Sequence, residues 1–386
     1  MSQQNKMRNK EERFWQEVEL GKVAKFINGR AFRPSEWENE GKIIIRIQDL
    51  TGSITNPNYT SQEFDKKYLV KKGDLLISWS ATLDAFLWDK GDGWLNQHIF
   101  KVKEDKKLLN HKYLFYFVKK SIDLFKRDTH GSTMKHITKG NFGSIKVPLP
   151  PLETQEKIVS ILEKAEALKQ KREQADKLTD EYLKSIFSEM FLNKGIYEKK
   201  LMDVCIKITD GAHVTPKYTE RGIPFLRVTD LTESNNSKKF ISKEEHKDLI
   251  KRCKPEKGDL LYTKNGTIGV AKTINWDYEF SIFVSLCLIK PNRDILIPKY
   301  LEFFLNTPYA LRQAMSHSKK GTITNLHLIE IKKIKIPLPP IELQKKFASI
   351  VENVEKLKEK QKKSKEYINE MFNSLMQKAF KGELIK

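Results

Sequence analysis

The chain of 386 residues has few cysteines and no long apolar runs. Cys205, Cys253 and Cys287 are widely spaced, with no Cys-x-x-Cys motif and no Cys/His cluster of zinc spacing, which predicts reduced thiols in a cytoplasmic protein. The longest apolar run, SIFVSLCLI (Ser281–Ile289), is too short to span a membrane and predicts one buried strand. The polar N-terminal stretch MSQQNKMRNKEERFW lacks the apolar segment of a secretory signal.

Motifs for catalysis are also missing. The chain has no G-x-x-x-x-G-K-[ST] phosphate-binding loop, which excludes an ATP-driven motor of that type. NPNY (Asn56–Tyr59) departs from the N-P-P-Y motif of adenine methyltransferases at Asn58, and we interpret it as a turn. The triplets Glu40–Lys42 and Glu245–Lys247 are too common in a lysine-rich chain to indicate a nuclease, and the histidines show no metal spacing. We therefore predict that the chain is not an enzyme by itself.

Positive charge, in contrast, is abundant. The chain has 71 Lys and Arg residues against 50 Asp and Glu residues, a net charge of +21. Each Lys or Arg placed on a phosphate releases counterions, so this excess favours a nucleic acid as the partner. The alternative is a soluble, lysine-rich protein whose charge serves only solubility. A length of 386 residues with 39% hydrophobic residues predicts two or three domains with real cores.

The chain repeats itself. The matched stretches are KIIIRIQDLTG (Lys42–Gly52) with GIPFLRVTDLTE (Gly222–Glu233), KKGDLLIS (Lys71–Ser78) with EKGDLLYT (Glu256–Thr263), and VPLPPLETQEKIVSILE from Val147 with IPLPPIELQKKFASIVE from Ile336. The repeat predicts one unit used twice, in which a globular part of short strands and helices is followed by P-L-P-P and a long helix. K-G-D-L-L predicts a turn that leads into a buried strand. The prolines of each P-L-P-P link cannot be helical, so each long helix begins after its link.

Each long helix carries an apolar seam at alternating steps of three and four residues, and matched seam positions lie 189 residues apart. This is a coiled-coil pattern. The strongest seam residues are Ile158, Ile161, Leu168, Tyr182, Ile186, Phe347, Ile350, Leu357, Ile368 and Leu375. The pattern favours pairing of the two helices over separate packing of each on its own domain, but leaves parallel and antiparallel pairing open. Two basic modules held apart by such a rod suit two half-sites on a DNA duplex.

The whole chain resembles the specificity subunit of type I restriction–modification systems. The most specific residues are the two P-L-P-P-[LI]-E-x-Q segments, Pro148–Gln155 and Pro337–Gln344, and the closing QKAFKGEL (Gln377–Leu384) is also typical. The resemblance implies an α+β fold with two pseudo-repeated mixed α/β target recognition domains, 1–147 and 196–335. Each would read half of a bipartite target on double-stranded DNA.

The same resemblance implies the role of the helices and the partners. The segments 148–195 and 336–386, each a P-L-P-P link with a long spacer helix, would pair as an antiparallel coiled coil, set the gap between the half-sites and dock two methyltransferase subunits. Restriction subunits would complete the nuclease. This chain would hold no cofactor, because S-adenosylmethionine, ATP and Mg²⁺ would belong to partner subunits. The alternative is a non-catalytic coiled-coil scaffold with only non-specific affinity for nucleic acid.

Three pairs of matched loops carry side chains that suit base or phosphate contacts. The first loops are Asn28–Trp37 and Asp210–Tyr218, the second loops are Thr129–Lys139 and Ser316–Asn325, and the third loops are Ser78–Phe86 and Thr263–Ala271. The candidate DNA contacts are Asn28, Arg30, Arg33, Ser78, Ser80, Thr82, Ser132, Thr133, Lys135 and His136 in the first globular part, and His213, Thr215, Lys217, Tyr218, Lys264, Asn265, Thr267, Lys319, Lys320 and Thr322 in the second. Divergence on a shared framework is what two different half-sites require, although unselected drift produces the same pattern.

Overall fold

A computed structural model of the chain describes residues 15–53, 56–80, 82–128, 142–192, 195–233, 239–316 and 325–385. The chain divides into two compact units. Unit 1 comprises Met1–Arg172 with Ser364–Lys386, and unit 2 comprises Glu173–Lys363. Each unit therefore contains one globular part, a portion of the long helix that follows it and a portion of the other long helix.

Within its described residues, unit 1 contains two four-stranded sheets and one two-stranded ribbon. Its strands are β1 (Glu17–Glu19), β2 (Ala24–Asn28), β3 (Lys42–Ile45), β4 (Tyr59–Thr60), β5 (Leu69–Val70), β6 (Leu75–Ser78), β7 (Asp84–Leu87), β8 (Gly93–Leu95), β9 (Ile99–Glu104) and β10 (Lys146–Pro148). Its helices are α1 (Leu20–Val23), α2 (Ile47–Thr51), α3 (His111–Asp128), the first part of α4 (Leu152–Phe187) and the last part of the second long helix (Ile341–Phe380), with 3-10 turns at Pro34–Glu36 and Lys66–Tyr68. The sheet orders are β2-β9-β6-β7, which is antiparallel, and β4-β3-β8-β5, in which β3 and β8 are parallel; β1 pairs with β10.

Unit 2, in the residues that the structure describes, repeats this plan with one strand fewer in its second sheet. Its strands are β11 (Glu198–Lys200), β12 (Cys205–Asp210), β13 (Ile223–Leu226), β14 (Phe240–Ile241), β15 (Leu260–Thr263), β16 (Ala271–Thr273), β17 (Ser281–Ile282), β18 (Leu286–Pro291) and β19 (Lys335–Pro337). Its helices are the end of α4 with a π-helical turn at Ser188–Leu192, α5 (Leu201–Val204), α6 (Val228–Thr232), α7 (Lys243–Arg252), α8 (Pro298–Leu305), α9 (Pro308–Met315), α10 (Leu328–Lys333) and the first part of α11 (Ile341–Phe380). The sheet orders are β12-β18-β15-β16 and β14-β13-β17, and β11 pairs with β19.

The K-G-D turn is built in the same way in both units, as predicted. Gly73 and Gly258 have φ angles of +93° and +87°, which a residue with a side chain rarely adopts. The following aspartate closes the turn: Asp74 Oδ2 accepts a hydrogen bond from the backbone N–H of Lys71 at 2.8 Å. Asp259 does the same in unit 2. The turn leads into β6 in unit 1 and into β15 in unit 2, and all residues of both strands are buried.

The apolar run Ser281–Ile289 is not one strand, and that prediction was wrong. It contains β17 and the first part of β18, which belong to different sheets, with a turn between them. The N–H of Leu286 donates to the carbonyl of Phe283 at 2.9 Å and closes this turn. An uninterrupted apolar run carries no turn signal, because both strands are buried and no Gly, Pro or Asn separates them.

Both long helices contribute to the core of each unit. In unit 1, the Phe380 ring at the end of α11 packs on Tyr113 of α3, with centroids 5.1 Å apart. In unit 2, Phe191, 189 residues before Phe380, packs on Tyr300 of α8 at 5.0 Å. Each globular part is therefore closed by an aromatic side chain from the C-terminal end of a long helix.

The two long helices run antiparallel within each unit. In unit 2, Gln361 Nε2 donates to Thr179 Oγ1 at 3.0 Å, and the rings of Phe347 and Phe187 lie 5.4 Å apart, so residue numbers rise on one helix as they fall on the other. In unit 1, Lys169 Nζ lies 4.8 Å from the ring centroid of Phe372. The pairing that the sequence left open is therefore antiparallel.

A buried glutamine explains the repeated P-L-P-P-x-E-x-Q motif. Gln155 is fully buried; its Oε1 accepts from the N–H of Asn110, and its Nε2 donates to the carbonyls of Leu108 and Pro150, all at 2.8 Å. Gln344 makes the matching bonds to Ile295, Ile297 and Pro339 at 2.9–3.0 Å.

A buried tyrosine completes this contact in each unit. The Tyr113 hydroxyl donates to the carbonyl of Pro148, and the Tyr300 hydroxyl donates to the carbonyl of Pro337, both at 2.8 Å. The link and the helix that follows it are thus tied to the globular part by buried and partly buried hydrogen bonds.

We expect Gln155→Leu to destabilise unit 1 by about 1–3 kcal/mol, because one buried and two partly buried backbone groups lose their partners and a buried one costs about that much. Gln344→Leu should destabilise unit 2 in the same way, so each variant is the control for the other. Urea unfolding followed by hydrogen exchange with mass spectrometry would assign the loss to a unit. Equal loss of protection in both units from either variant would contradict this interpretation.

Unit 1 also contains a histidine that faces two acceptors. His111 Nε2 donates to the carbonyl of Gly73 at 2.8 Å, and Nδ1 lies 3.1 Å from Glu104 Oε2. Both ring nitrogens therefore carry a proton when both contacts are made. The hydrogen bond to the Glu104 carboxylate is the main cause that raises the pKa of His111 above its ordinary value. The matched residue in unit 2 is Pro298, which has no titrating group.

The raised pKa predicts a stability that depends on pH in unit 1. The contribution of protonated His111 is fully present below the unfolded-state pKa of about 6.5 and is lost as the pH rises through the higher folded-state pKa. We expect unit 1 to lose stability as the pH rises above about 6.5, and His111→Gln to remove this loss. Hydrogen exchange across a pH series measures it, with unit 2 as the internal control. An unchanged pH profile in the variant would refute the assignment.

Candidate nucleic-acid interface

Two of the three loops in each unit begin at the same edge of a four-stranded sheet. In unit 1, Asn28 at the end of β2 pairs with Phe100, and Ser78 at the end of β6 pairs with Ile99, so both strands end where β9 begins. In unit 2, Asp210 pairs with Cys287 and Thr263 pairs with Leu286 in the same arrangement. We call this edge, with the loops that leave it, the recognition edge of each unit.

The connection before β9 or β18 lies between the first and third loops. In unit 1, the N–H of Arg30 donates to the carbonyl of Leu95 at 3.0 Å, and the N–H of Trp79 donates to the carbonyl of His98 at 3.3 Å. In unit 2, Ala212 donates to Ile282 at 2.9 Å and Lys264 donates to Ser285 at 3.0 Å. The connections 96–98 and 283–285 are therefore central to the recognition edge, although they were not among the loops predicted from sequence.

A glycine is required where the first loop crosses this connection. A Cβ atom added to Gly29 would lie 2.0 Å from the carbonyl oxygen of Asn96, and one added to Gly211 would lie 2.0 Å from that of Ile282. Real Cβ atoms do not approach a backbone oxygen this closely, so the loops keep their course only with glycine. Gly29 and Gly211, the second residues of the two matched first loops, are thus glycines for a steric reason.

In unit 1, Arg30 is held within the first loop. Its Nη2 donates to Glu36 Oε1 at 2.7 Å, and its guanidinium lies 4.5 Å and 4.0 Å from the ring centroids of Phe32 and Phe64. A hydrogen bond from the N–H of Arg33, followed by that from Arg30, holds the pKa of Glu36 below its ordinary value. The side chains of Asn28 and Arg33 are exposed at the same loop.

In unit 2, a buried carboxylate organises the first loop. Asp210 Oδ1 lies 3.0 Å from His213 Nε2 and 3.2 Å from Arg252 Nη2, and its Oδ2 lies 3.4 Å from Lys264 Nζ. Burial by itself would raise the pKa of Asp210, but the contact with His213, followed by that with Lys264, holds it below its ordinary value. Lys264 is itself buried, so its charge faces the loop rather than solvent.

The remaining candidates of the first and third loops differ in exposure. Ser78 is buried, and its Oγ accepts from the N–H of Asp84 at 3.2 Å. The exposed candidates are Thr82, His213, Thr215, Lys217 and Thr267, and the half-buried ones are Ser80, Tyr218 and Asn265. Val214, which was not among the candidates, is 80% exposed at the tip of the first loop of unit 2.

Most of the second loops lies outside the described residues. The candidates concerned are Ser132, Thr133, Lys135, His136, Lys319, Lys320 and Thr322. In unit 2, the last residue of the second loop, Asn325, forms a β-bridge with Asn265, and the N–H of Leu326 donates to the carbonyl of Lys264 at 2.7 Å. The second loop of unit 2 therefore ends at the recognition edge.

The predicted seam residues of the helices divide into three groups. Ile158 and Phe347 are buried in the cores, and Ile161, Ile186, Ile350, Ile368 and Leu375 are half-buried. Leu168, Tyr182 and Leu357 are exposed by about half. Other apolar residues of the two helices are buried instead, among them Leu162, Leu183 and Val351. A repeat of 3.5 residues drifts against a helix of 3.6 residues per turn, and each helix also packs on its own globular part.

Metal and membrane features are not found in the described part of the chain. No group of three or more His, Cys, Asp and Glu side chains there is arranged to hold a metal ion. None of its helices combines the length and apolarity needed to cross a bilayer.

Comparison with known proteins gives consistent results. Residues 12–177 and 193–370 match the family described as type I restriction modification DNA specificity domain. The chain is 25% identical to the specificity subunit of the type I restriction enzyme EcoBI of Escherichia coli, over 96% of this chain and 86% of that one. It is 23% identical to the MjaVIII specificity subunit of Methanocaldococcus jannaschii, over 96% and 93%.

Solved structures support the fold. A chain from a type I restriction–modification system studied for complex assembly and conformational transition superposes with a TM-score of 0.63 and 20% identity, covering 96% of this chain and 98% of that one. The specificity subunit of a type I system from M. genitalium superposes with a TM-score of 0.53 and 17% identity, covering 95% and 96%.

Proposed function

The chain belongs to the type I restriction–modification DNA specificity family, and we propose that the recognition edge of each unit reads one half of a bipartite DNA target. The chain is the specificity subunit of such a system. Methyl transfer and cleavage belong to its partner subunits, as do S-adenosylmethionine, ATP and Mg²⁺. The observation that carries the proposal is that the two units share a sheet framework but have different side chains at the equivalent edge of that sheet.

The geometry of the recognition edge supports reading by exposed side chains. We assign base or phosphate contacts to Asn28, Arg33 and Thr82 in unit 1, and to Thr215, Lys217 and Thr267 in unit 2, because these polar side chains are exposed. The buried or paired candidates have a different task. Arg30, Ser78 and Lys264 hold the loops in place, since their polar groups face partners within the protein.

The same proposal gives each segment of the chain a role. We take 1–147 and 196–335 as the two target recognition domains, with 148–195 and 336–386 as the links and spacer helices. Antiparallel pairing of the helices places the end of α11 on the first recognition domain and the end of α4 on the second. Helix length then sets the number of unread base pairs between the half-sites.

The exposed apolar side chains of the helices form a repeated set. Leu168, Leu178 and Tyr182 of α4 match Leu357, Tyr367 and Met371 of α11, each pair 189 residues apart, and all six are between 38% and 70% exposed. Isolated apolar side chains on a surface need no partner, but the same set at matched positions of two helices indicates a docking surface. We assign it to two copies of the methyltransferase subunit.

The recognition role is tested by mapping N6-methyladenine in cells that express this chain with its methyltransferase. We expect a bipartite motif with an unread gap. Exchange of the codons for Asn28–Trp37 with those of a relative should change one half of the motif, and exchange of Asp210–Tyr218 should change the other half. A gapped motif that ignores both exchanges would refute the assignment of the first loops. If deletion of the gene alters no methylated motif, the specificity role itself is wrong.

The docking surface is tested by charge insertion. We expect Leu178→Glu with Tyr182→Glu to remove one methyltransferase subunit from the purified complex, because a carboxylate on an apolar contact loses its hydration without a partner. Tyr367→Glu with Met371→Glu should remove the other.

Native mass spectrometry counts the subunits in each complex. The control is Ser185→Glu or Ser374→Glu, which adds one carboxylate, against two in each double variant, at an exposed polar position of the same helix; the two serines are also 189 residues apart. Full assembly of both double variants would contradict the docking surface.

A further inference from the structure

The tip of the connection between β8 and β9 presents one glutamine at the centre of the recognition edge of unit 1. The turn is tight, because the N–H of Ile99 donates to the carbonyl of Asn96 at 3.2 Å. It is fixed on both sides: the N–H of Asn96 donates to the carbonyl of Ile45 at 3.2 Å, and the N–H of Trp79 donates to that of His98 at 3.3 Å. Gln97, the residue at the tip, is exposed.

The side chain of Gln97 is oriented by its neighbour. Gln97 Nε2 lies 3.1 Å from His98 Nε2, and an amide nitrogen only donates, so this nitrogen of His98 accepts. The His98 ring in turn lies against the Trp79 ring, with centroids 5.4 Å apart. Among the described residues the Gln97 oxygen accepts no hydrogen bond, so this oxygen and the second N–H of the amide remain for a ligand.

Unit 2 has the same turn with a different residue at the tip. The N–H of Leu286 donates to the carbonyl of Phe283 at 2.9 Å, and the N–H of Val284 donates to that of Ala212 at 2.9 Å. Val284 occupies the place of Gln97, and Ser285 that of His98. Ser285 also supports the turn, since its Oγ accepts from the N–H of Val228 at 3.3 Å. The backbone is thus conserved between the units while the tip changes from an amide to a branched apolar side chain.

We propose that Gln97 and Val284 are specificity-determining residues, Gln97 reading an adenine in one half-site and Val284 contacting a thymine methyl group in the other. The inference rests on the proposed function. A glutamine amide with one free donor and one free acceptor matches the N7 and N6 groups of adenine in the major groove. A valine has no hydrogen-bonding group, and the thymine methyl is the apolar feature of that groove. A rigid turn holds the reading group in place more accurately than a long loop does.

The experiment uses the purified complex of this chain with its methyltransferase, and the bipartite target mapped as above. Methylation rates are measured on duplexes in which each base pair of the target is replaced in turn. Gln97→Glu keeps the side-chain shape but removes the amide donor, and a carboxylate suits the N4 donor of cytosine. We expect the preference for adenine at one base pair of one half-site to fall by roughly 5- to 150-fold, with all other positions unchanged.

Val284→Gln is the reciprocal variant, and it should alter the preference at one base pair of the other half-site. Gln16→Glu is the matched control, because Gln16 is an exposed glutamine of unit 1 beside the P-L-P-P link, where its carbonyl accepts from the N–H of Leu149 at 2.9 Å. It should leave every preference as in the wild type. If the Gln97→Glu complex is inactive, the same methylation rates are measured for Gln97→Ala, which should lose the preference for adenine at that one base pair.

Two results would overturn the inference while leaving the proposed function intact. One is a wild-type preference at every base pair in Gln97→Glu and Gln97→Ala. The other is a loss spread evenly over both half-sites, which general destabilisation produces. Absence of any bipartite target for the wild-type complex would instead refute the proposed function.

Discussion

The hydrogen bonds of the buried glutamine at the start of each long helix are the constraint on which the rest of each unit depends. Gln155 and Gln344 each pair with the carbonyl of a link proline, and with one carbonyl and one backbone N–H of the segment just before α3 or α8. A different angle between helix and globular part would leave these groups unpaired, at a cost of about 1–3 kcal/mol for each one that is buried. The direction of the helix is therefore set by the domain that precedes it.

Framework and specificity are separated within each unit. The order of the four-stranded antiparallel sheet, the K-G-D turn and the crossing glycine are shared, because they are determined by backbone hydrogen bonds and by steric limits. The loops that leave these strands are held by different side-chain interactions: Arg30 lies between two phenylalanine rings in unit 1, and Asp210 lies among three basic groups in unit 2. Side chains at the recognition edge can therefore change without disturbing the sheets below.

Local features were predictable and long-range pairings were not. Proline geometry and the turn at Gly73 depend on neighbouring residues, so the ends of the links and the start of β6 follow from sequence. The burial of Lys264 depends on Asp210, which is 54 positions earlier in the chain, so the lysine had the pattern of a DNA contact. The turn at Gln97 escaped notice because three residues between two short strands have no periodicity to read.

The sequence by itself determined the duplication, the alternation of globular part and helix, the family and hence the class of ligand, because these depend on residue order alone. Tertiary structure decided the direction of helix pairing and the identity of the exposed apolar side chains, since an apolar seam is compatible with either direction and drifts along a real helix. It also decided which polar side chains at the recognition edge are free. That depends on partners brought together across the sheet, and a hydrogen bond or ion pair within the protein removes a side chain from the set available to DNA.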